Sequence, residues 1–185
     1  MKLGKIMSAA LAIFAISAAI MIPARADKMV GGAAMYPTRN IIENAVNSKD
    51  HTTLVAAVKA AGLVDALEGP GPFTVFAPTN EAFDKLPAGT VDTLLKPENK
   101  DKLTSVLTYH VVLGRYSSDD LKKLIKDGDG KAMLKTLNRA MLTFTRSGHN
   151  IDVTDSKGDV ARITIADVFQ SNGVIHVINT VLMPG

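Results

Sequence analysis

Phe73-Thr74-Val75-Phe76-Ala77-Pro78-Thr79-Asn80-Glu81-Ala82-Phe83 changes character at its proline. Before Pro78 the run is aromatic, β-branched and small, the composition of a short strand. Pro78 cannot donate to a sheet ladder, so the strand ends there. Thr79 is a natural N-cap for a short helix through Phe83 and Leu86, and Glu81 stands in the first turn, where an acid opposes the helix dipole.

Upstream, Asp27 to Pro37 with Gly31-Gly32 reads as a flexible linker. Ile41, Ile42, Ala45 and Val46 fall at helical spacing, and a helix is predicted from about Thr52 to Ala61 with Gly62 as its stop. Leu63 to Leu67 extends the helical region before Gly69-Pro70-Gly71-Pro72 breaks it. Downstream, Thr90 is placed to cap a short helix to Lys96, and Pro97 opens another from about Glu98 to Tyr109. Val111-Val112-Leu113 reads as strand. Ser117 and Asp120 have capping-box spacing ahead of a helix that ends near Lys126. Leu142, Phe144, Ile151 and Val153 alternate, and Val160–Ile165 and Val174–Leu182 are enriched in β-branched residues. Helices come mostly first and strands mostly last, which predicts an α+β domain over 38–185.

Ahead of the linker, Lys2 and Lys5 precede an uncharged apolar run from Ile6 to Ile22, and Ala24-Arg25-Ala26 has the A-x-A form of a cleavage site. That layout predicts a signal peptide over 1–26, cleaved after Ala26, and a secreted or periplasmic protein. The whole chain has 21 basic and 18 acidic residues. Residues 1–26 hold Lys2, Lys5 and Arg25 and no acid, so the remainder is balanced at 18 of each. A neutral surface gives no footing for counterion-release binding, so no nucleic acid partner is expected. There is no cysteine for a disulfide or a lipid attachment, no Asn-x-Ser/Thr sequon and no hydrophobic tail after Met183, so no stable membrane anchor is expected after cleavage.

Thr74 to Phe83 resembles the first signature box of the fasciclin domain family. Tyr109-His110 resembles its Tyr-His motif, and Asn172-Gly173-Val174-Ile175-His176-Val177-Ile178, running on to Pro184, resembles its second box. The likeness spans about Asn40 to Pro184. It implies a β-sandwich wedge with several packed α-helices, a non-catalytic role in adhesion or binding, and no cofactor. It also implies partners among cell-surface or matrix proteins or polysaccharides; homo-oligomerisation is an open option, because one free domain cannot bridge two surfaces alone.

The resemblance nominates binding residues. Tyr109 and His110, flanked by Leu107, Val111, Val112 and Leu113, correspond to a Tyr-His pair linked to integrin binding in animal members. The alternative is a core tyrosine with a satisfied hydroxyl and a locally bonded imidazole. Asp167 and Val168 stand where adhesion-active members can carry Asp-Ile; the alternative is an acid closing a turn before Gln170-Ser171-Asn172-Gly173. His176 reads as a satisfied core residue, and Thr79 and Asn80 as caps of the helix they begin.

Enzyme chemistry is not legible. There is no Gly-x-Ser-x-Gly elbow, and the four histidines are scattered without zinc-site spacing. Asp127-Gly128-Asp129-Gly130 begins like a calcium loop, but Asn138 stands where the closing Glu is needed. Lys122-Lys123 and Lys126 fit a solvated helix face. An exported binding module therefore leads. A periplasmic small-ligand carrier, with its ligand between helices and sheet, is the second expectation. A hydrolase with a site assembled from distant residues is the third.

Overall fold

The computed structural model describes residues 27–185; the expected signal peptide lies outside the described residues. The chain opens with β1 (Lys28–Val30) and β2 (Ala33–Met35), paired antiparallel. Gly31 and Gly32 turn this hairpin, with φ of 58° and 75°. The expected flexible linker is thus an ordered hairpin. Val30 and Met35 are apolar on one face and are buried in the core, which holds the hairpin down.

α1 (Ile41–Ala45) starts at a capping box between Asn40 and Glu43. α2 (Thr52–Ala61) ends at Gly62 in the left-handed conformation, and α3 (Val64–Glu68) follows. Then come β3 (Phe73–Pro78), α4 (Asn80–Asp84) capped by Thr79, and α5 (Thr90–Leu94). Thr90 is not the cap expected of it: Gly89 takes that position at φ 81°, and Thr90 is already helical. The helix expected from Glu98 begins as a 3₁₀ turn at Pro97–Asn99 and becomes α6 (Lys100–Tyr109). β4 (Val111–Leu113) leads to α7 (Ser118–Asp127), which has the Ser117–Asp120 capping box. The rest is sheet: β5 (Lys131–Lys135), β6 (Met141–Ser147), β7 (Asn150–Thr154), β8 (Val160–Gln170) and β9 (Gly173–Ile178).

Seven strands form one sheet in the order β4-β3-β9-β8-β7-β6-β5. β3 and β9, second and third in that order, run parallel and the other neighbours are antiparallel. β8 spans both halves: its pairing with β9 shifts register between Ile163 and Ile165 and again between Ile165 and Val168. Such bulges bend a strand and let the sheet curl into a wedge. One apolar core fills the inside of that curl, with Tyr109, Leu121, Phe144 and Leu182 in it. A second lies between the sheet and α1, α2, α3 and α6. The α+β wedge with packed helices is therefore the observed fold.

Candidate functional site

Tyr109 and His110 end α6 and point into the protein, where they are 0% and 2% exposed. The Tyr109 hydroxyl donates to the Met141 carbonyl at 3.0 Å and accepts from the Ser156 amide at 2.9 Å. It thereby ties the end of α6 to the start of β6 and to the turn after β7. His110 Nδ1 donates to the Val106 carbonyl at 2.8 Å, and Nε2 accepts from the Leu182 amide at 3.0 Å. These partners require the neutral imidazole with its proton on Nδ1. Burial pushes its pKa down to about 4, against smaller upward pulls from the Val106 hydrogen bond and the Asp155 charge. Folded as it is, the protein leaves neither side chain a surface for a partner. Tyr109 clips α6 to β6 and to the turn after β7, and His110 clips it to the carboxyl-terminal segment.

Removing the hydroxyl alone should therefore act on stability. Tyr109→Phe keeps the ring in the core but leaves Met141 O and Ser156 N–H without their partner, at an expected cost of about 1–2 kcal/mol. Urea unfolding followed by far-UV circular dichroism measures it; a change under about 0.5 kcal/mol would mean that water replaces the hydroxyl.

Asp167 lies within β8 rather than in the turn that follows it, at a bulge with φ 58°. Its carboxylate accepts from the Ser118 amide and from the Ser118 hydroxyl, both at 2.6 Å. It is thus an anion against the first turn of α7, joining the sheet to a helix that also has its own capping box. Partial burial would raise its pKa; the two Ser118 bonds outweigh that, with help from His176 and Lys28, and lower it. Val168 beside it is buried. Asp167→Asn keeps an acceptor and a residue that tolerates positive φ, so it should cost about 1 kcal/mol. Asp167→Ala loses both and should cost about 2–3 kcal/mol. Equal costs in thermal unfolding would contradict this assignment.

His176 stacks on Phe76 with centroids 5.7 Å apart. It donates from Nε2 to the Tyr116 carbonyl at 2.8 Å and accepts at Nδ1 from the Asp167 amide at 3.3 Å. Burial lowers its pKa, as it does that of His51. Asn80 works across elements rather than on its own helix. Its Oδ1 accepts from the Thr53 amide at 3.1 Å, and its Nδ2 donates to Lys49 O at 2.8 Å. The start of α2 has no local side-chain cap, and Asn80 supplies one from 27 residues away. Thr74 fixes the segment between β4 and α7, donating to Gly114 O at 2.7 Å and accepting from Tyr116 N at 2.9 Å. Asn172 makes three such bonds: Oδ1 accepts from the Ile41 amide at 3.0 Å, and Nδ2 donates to Leu67 O at 2.8 Å and Gly69 O at 2.9 Å. Next to it, a Cβ on Gly173 would stand 2.2 Å from Phe73 O, so the parallel β3–β9 contact requires glycine there.

Among the described residues no group of three His, Cys, Asp or Glu side chains is placed to hold a metal. No described helix is long and apolar enough to cross a membrane. An apolar pocket of about 40 Å³ lies between α1, α2, α3 and the sheet, with Val58, Leu67 and Phe76 in its walls and Lys59 among its lining residues.

Residues 49–184 match the Fasciclin domain profile. The chain belongs to the fasciclin domain family. It is 48% identical over 158 residues to Protein sll1483 of Synechocystis sp., covering 84% of this chain and 79% of that protein. It is 34% identical over 188 residues to the cell surface glycolipoprotein MPB83 of Mycobacterium bovis, covering 91% of this chain and 78% of that protein. Among solved structures, a FAS1 domain pair from the insect cell adhesion molecule Fasciclin I superposes with a TM-score of 0.70 at 19% identity, over 78% of this chain and 51% of that chain. The chain therefore spans about half of that domain pair, and the likeness is one of fold.

Proposed function

We propose that this protein is an exported, non-catalytic adhesion module that binds a protein partner on an exposed face. Family membership carries the reading: a relative is a cell surface protein, and the same fold serves a cell adhesion molecule. The internal hydrogen bonding of Tyr109, His110 and Asp167 supports a role beneath that face, where they hold strands and helices in place. The signal-peptide pattern in residues 1–26 supports export. The test is capture on the immobilised protein from an envelope and matrix extract of its own source. Saturable retention of one protein, competed by free protein, is the expected result. Retention of polysaccharide alone would move the partner class, and turnover of a substrate in the same extract would replace binding with catalysis.

The apolar pocket raises one second reading, carriage of a small apolar ligand, which requires the helices over it to open the space well beyond about 40 Å³. A saturable rise in melting temperature with an apolar carboxylate would support it. No shift across a range of chain lengths would remove it.

A further inference from the structure

β4 and β5 are the two ends of the seven-stranded sheet, and they meet at the antiparallel bridge of Val112 with Thr136 and at the hydrogen bond from the Leu137 amide to Val111 O at 2.8 Å. The backbone is closed on itself at this junction, so what it offers a partner is side chains. Beside the bridge lies a cleft of about 460 Å³, walled by Leu113, Tyr116, Leu134 and Leu137, with Lys135 and Arg139 as its charged residues. Among the described residues no acid lines it, and neither cation's side chain has an ion pair or a hydrogen bond.

Arg139 breaks a local rule. Leu137, Asn138 and Arg139 form a three-residue hairpin loop, closed by Thr136 N–H on Ala140 O and Arg139 N–H on Thr136 O, both at 2.9 Å. The last residue of such a loop lies in the left-handed region, where glycine is favoured because a Cβ crowds the following carbonyl. Arg139 stands there with φ 73°. Asparagine, the next best tolerated residue, is one place earlier: Asn138 Oδ1 accepts from the Ala140 amide at 3.0 Å, and Nδ2 donates to Ser105 O at 3.2 Å. The loop is thereby tied to α6, and an arginine is held in a conformation that disfavours it, with its side chain at the cleft. A residue kept against the preference of its own backbone points to a use for its side chain.

The β4 side of the cleft is also fixed. Gly114 has φ 105°, and a Cβ there would stand 2.8 Å from Tyr116 Cε2, so the tyrosine ring rests against the glycine backbone. The Tyr116 amide donates to Thr74 Oγ1 at 2.9 Å, and its carbonyl accepts from His176 Nε2 at 2.8 Å. Leu113 beside it is 61% exposed. Chemistry decides the occupant. A guanidinium and an ammonium without partners call for an anion, and a carboxylate matches the guanidinium fork. The leucines call for an apolar group next to that carboxylate. The hydroxyls at the cleft are those of Tyr116 and Thr136, and Thr136 Oγ1 is already bonded to Ala140 O at 2.9 Å, so the many hydroxyls of a sugar would find few partners.

We propose that this cleft binds an acidic side chain of a partner protein together with the large apolar side chain next to it. This rests on the reading of the protein as a protein-binding module and names the surface and the chemistry of that partner. Arg139 holds the carboxylate, Lys135 adds its charge, and the apolar group lies against Leu113, Tyr116 and Leu134. Arg139 thus serves binding and weakens the loop that carries it.

Two short end-blocked peptides are titrated into the ¹⁵N-labelled protein, one with Glu between two Leu residues and one with Gln in place of that Glu. The Glu peptide should shift amides of residues 113–116 and 134–139 saturably, and the Gln peptide should bind at least about tenfold more weakly. Arg139→Gly is the decisive variant, because it suits the loop better than the natural residue. It should weaken the Glu peptide at least about tenfold while raising the melting temperature by about 2–4 °C. A melting temperature that does not rise, or an unchanged affinity, would show Arg139 serving the fold and overturns the proposal. Absence of binding, equal binding of both peptides, or shifts elsewhere overturn it as well, as does a concentration-dependent dimer that covers these amides. Saturable binding of polygalacturonate there in place of the Glu peptide would assign the cleft to an acidic polysaccharide and overturn it too. If Arg139→Gly retains the captured partner as well as the parent does, the cleft proposal fails and the adhesion reading stands. If the Glu peptide binds as expected and no partner is captured, the adhesion reading is the one that fails.

Discussion

Asn172→Ala is expected to destabilise the protein by about 3–4 kcal/mol, more than Tyr109→Phe or Asp167→Ala. The residue is buried, and its amide makes three hydrogen bonds to backbone far away in sequence. The Ile41 amide is the first of α1, with no intrahelical acceptor available to it. Leu67 O and Gly69 O close α3, so they too depend on an outside donor. Alanine fills part of the space and satisfies none of the three. Each buried group left unpaired costs about 1–3 kcal/mol, reduced where water enters. Asn172→Asp should be no better, since it keeps the acceptor for Ile41 and turns a carboxylate toward two carbonyls. With no tryptophan in the chain, far-UV circular dichroism during urea unfolding is the suitable readout. A loss under about 1 kcal/mol would show that these ends are held by something else.

Acid should weaken the fold before its carboxylates titrate. His110 is held neutral with a pKa of about 4, whereas an unfolded histidine titrates near 6.5. Between those values the unfolded chain binds the extra proton and the folded chain does not. The stabilisation is therefore complete above about pH 6.5, falls as pH falls, and is gone below about pH 4, a span of about 3 kcal/mol for this one residue. His51 and His176 are shifted in the same direction by burial and add to the same slope. Asp167, with its pKa lowered, contributes stability that is lost at the acid end of the range. Unfolding free energy should already drop between pH 7 and pH 5, and the His110 ring should keep its neutral Nδ1–H form by NMR at pH 5. A flat stability profile over that range, or an imidazolium signal from His110 at pH 6, would refute the assignment.

Much of the fold was legible because its signals are local. Gly62 after an apolar helical run, Thr79 after Pro78, and Ser117 three residues before Asp120 each announce a helix end through nearest neighbours. β5 was not legible: Lys-Ala-Met-Leu-Lys alternates weakly and lacks β-branched residues, and it becomes a strand because β6 pairs with it. The hairpin of β1 and β2 was hidden by its glycines, which suit a linker and a tight turn equally well; burial of Val30 and Met35 decides between them. β8 extends to Gln170 because β9 offers it a partner beyond Ile165.

The candidate site shows a different limit. The resemblance to fasciclin motifs nominated Tyr109, His110, Asp167 and Val168, but their surroundings come from residues tens of positions away. Ser156 meets Tyr109, Leu182 meets His110, and Ser118 meets Asp167. The same holds for Asn80, whose spacing suggests a local cap and whose amide reaches α2 instead. The near-closure of the sheet could not be read at all, because the Val112–Thr136 bridge joins its two end strands across the whole order.

The most direct test of the central claim compares partner retention with stability in the double variant Tyr109→Phe, His110→Asn. Retention of the captured partner is measured at a temperature where circular dichroism shows the variant folded, beside its full unfolding curve. If these residues clip the fold from within while binding occurs at the surface, retention is unchanged and the unfolding midpoint falls. Lost retention with an unchanged unfolding curve would contradict this and place the Tyr-His pair in the interface itself.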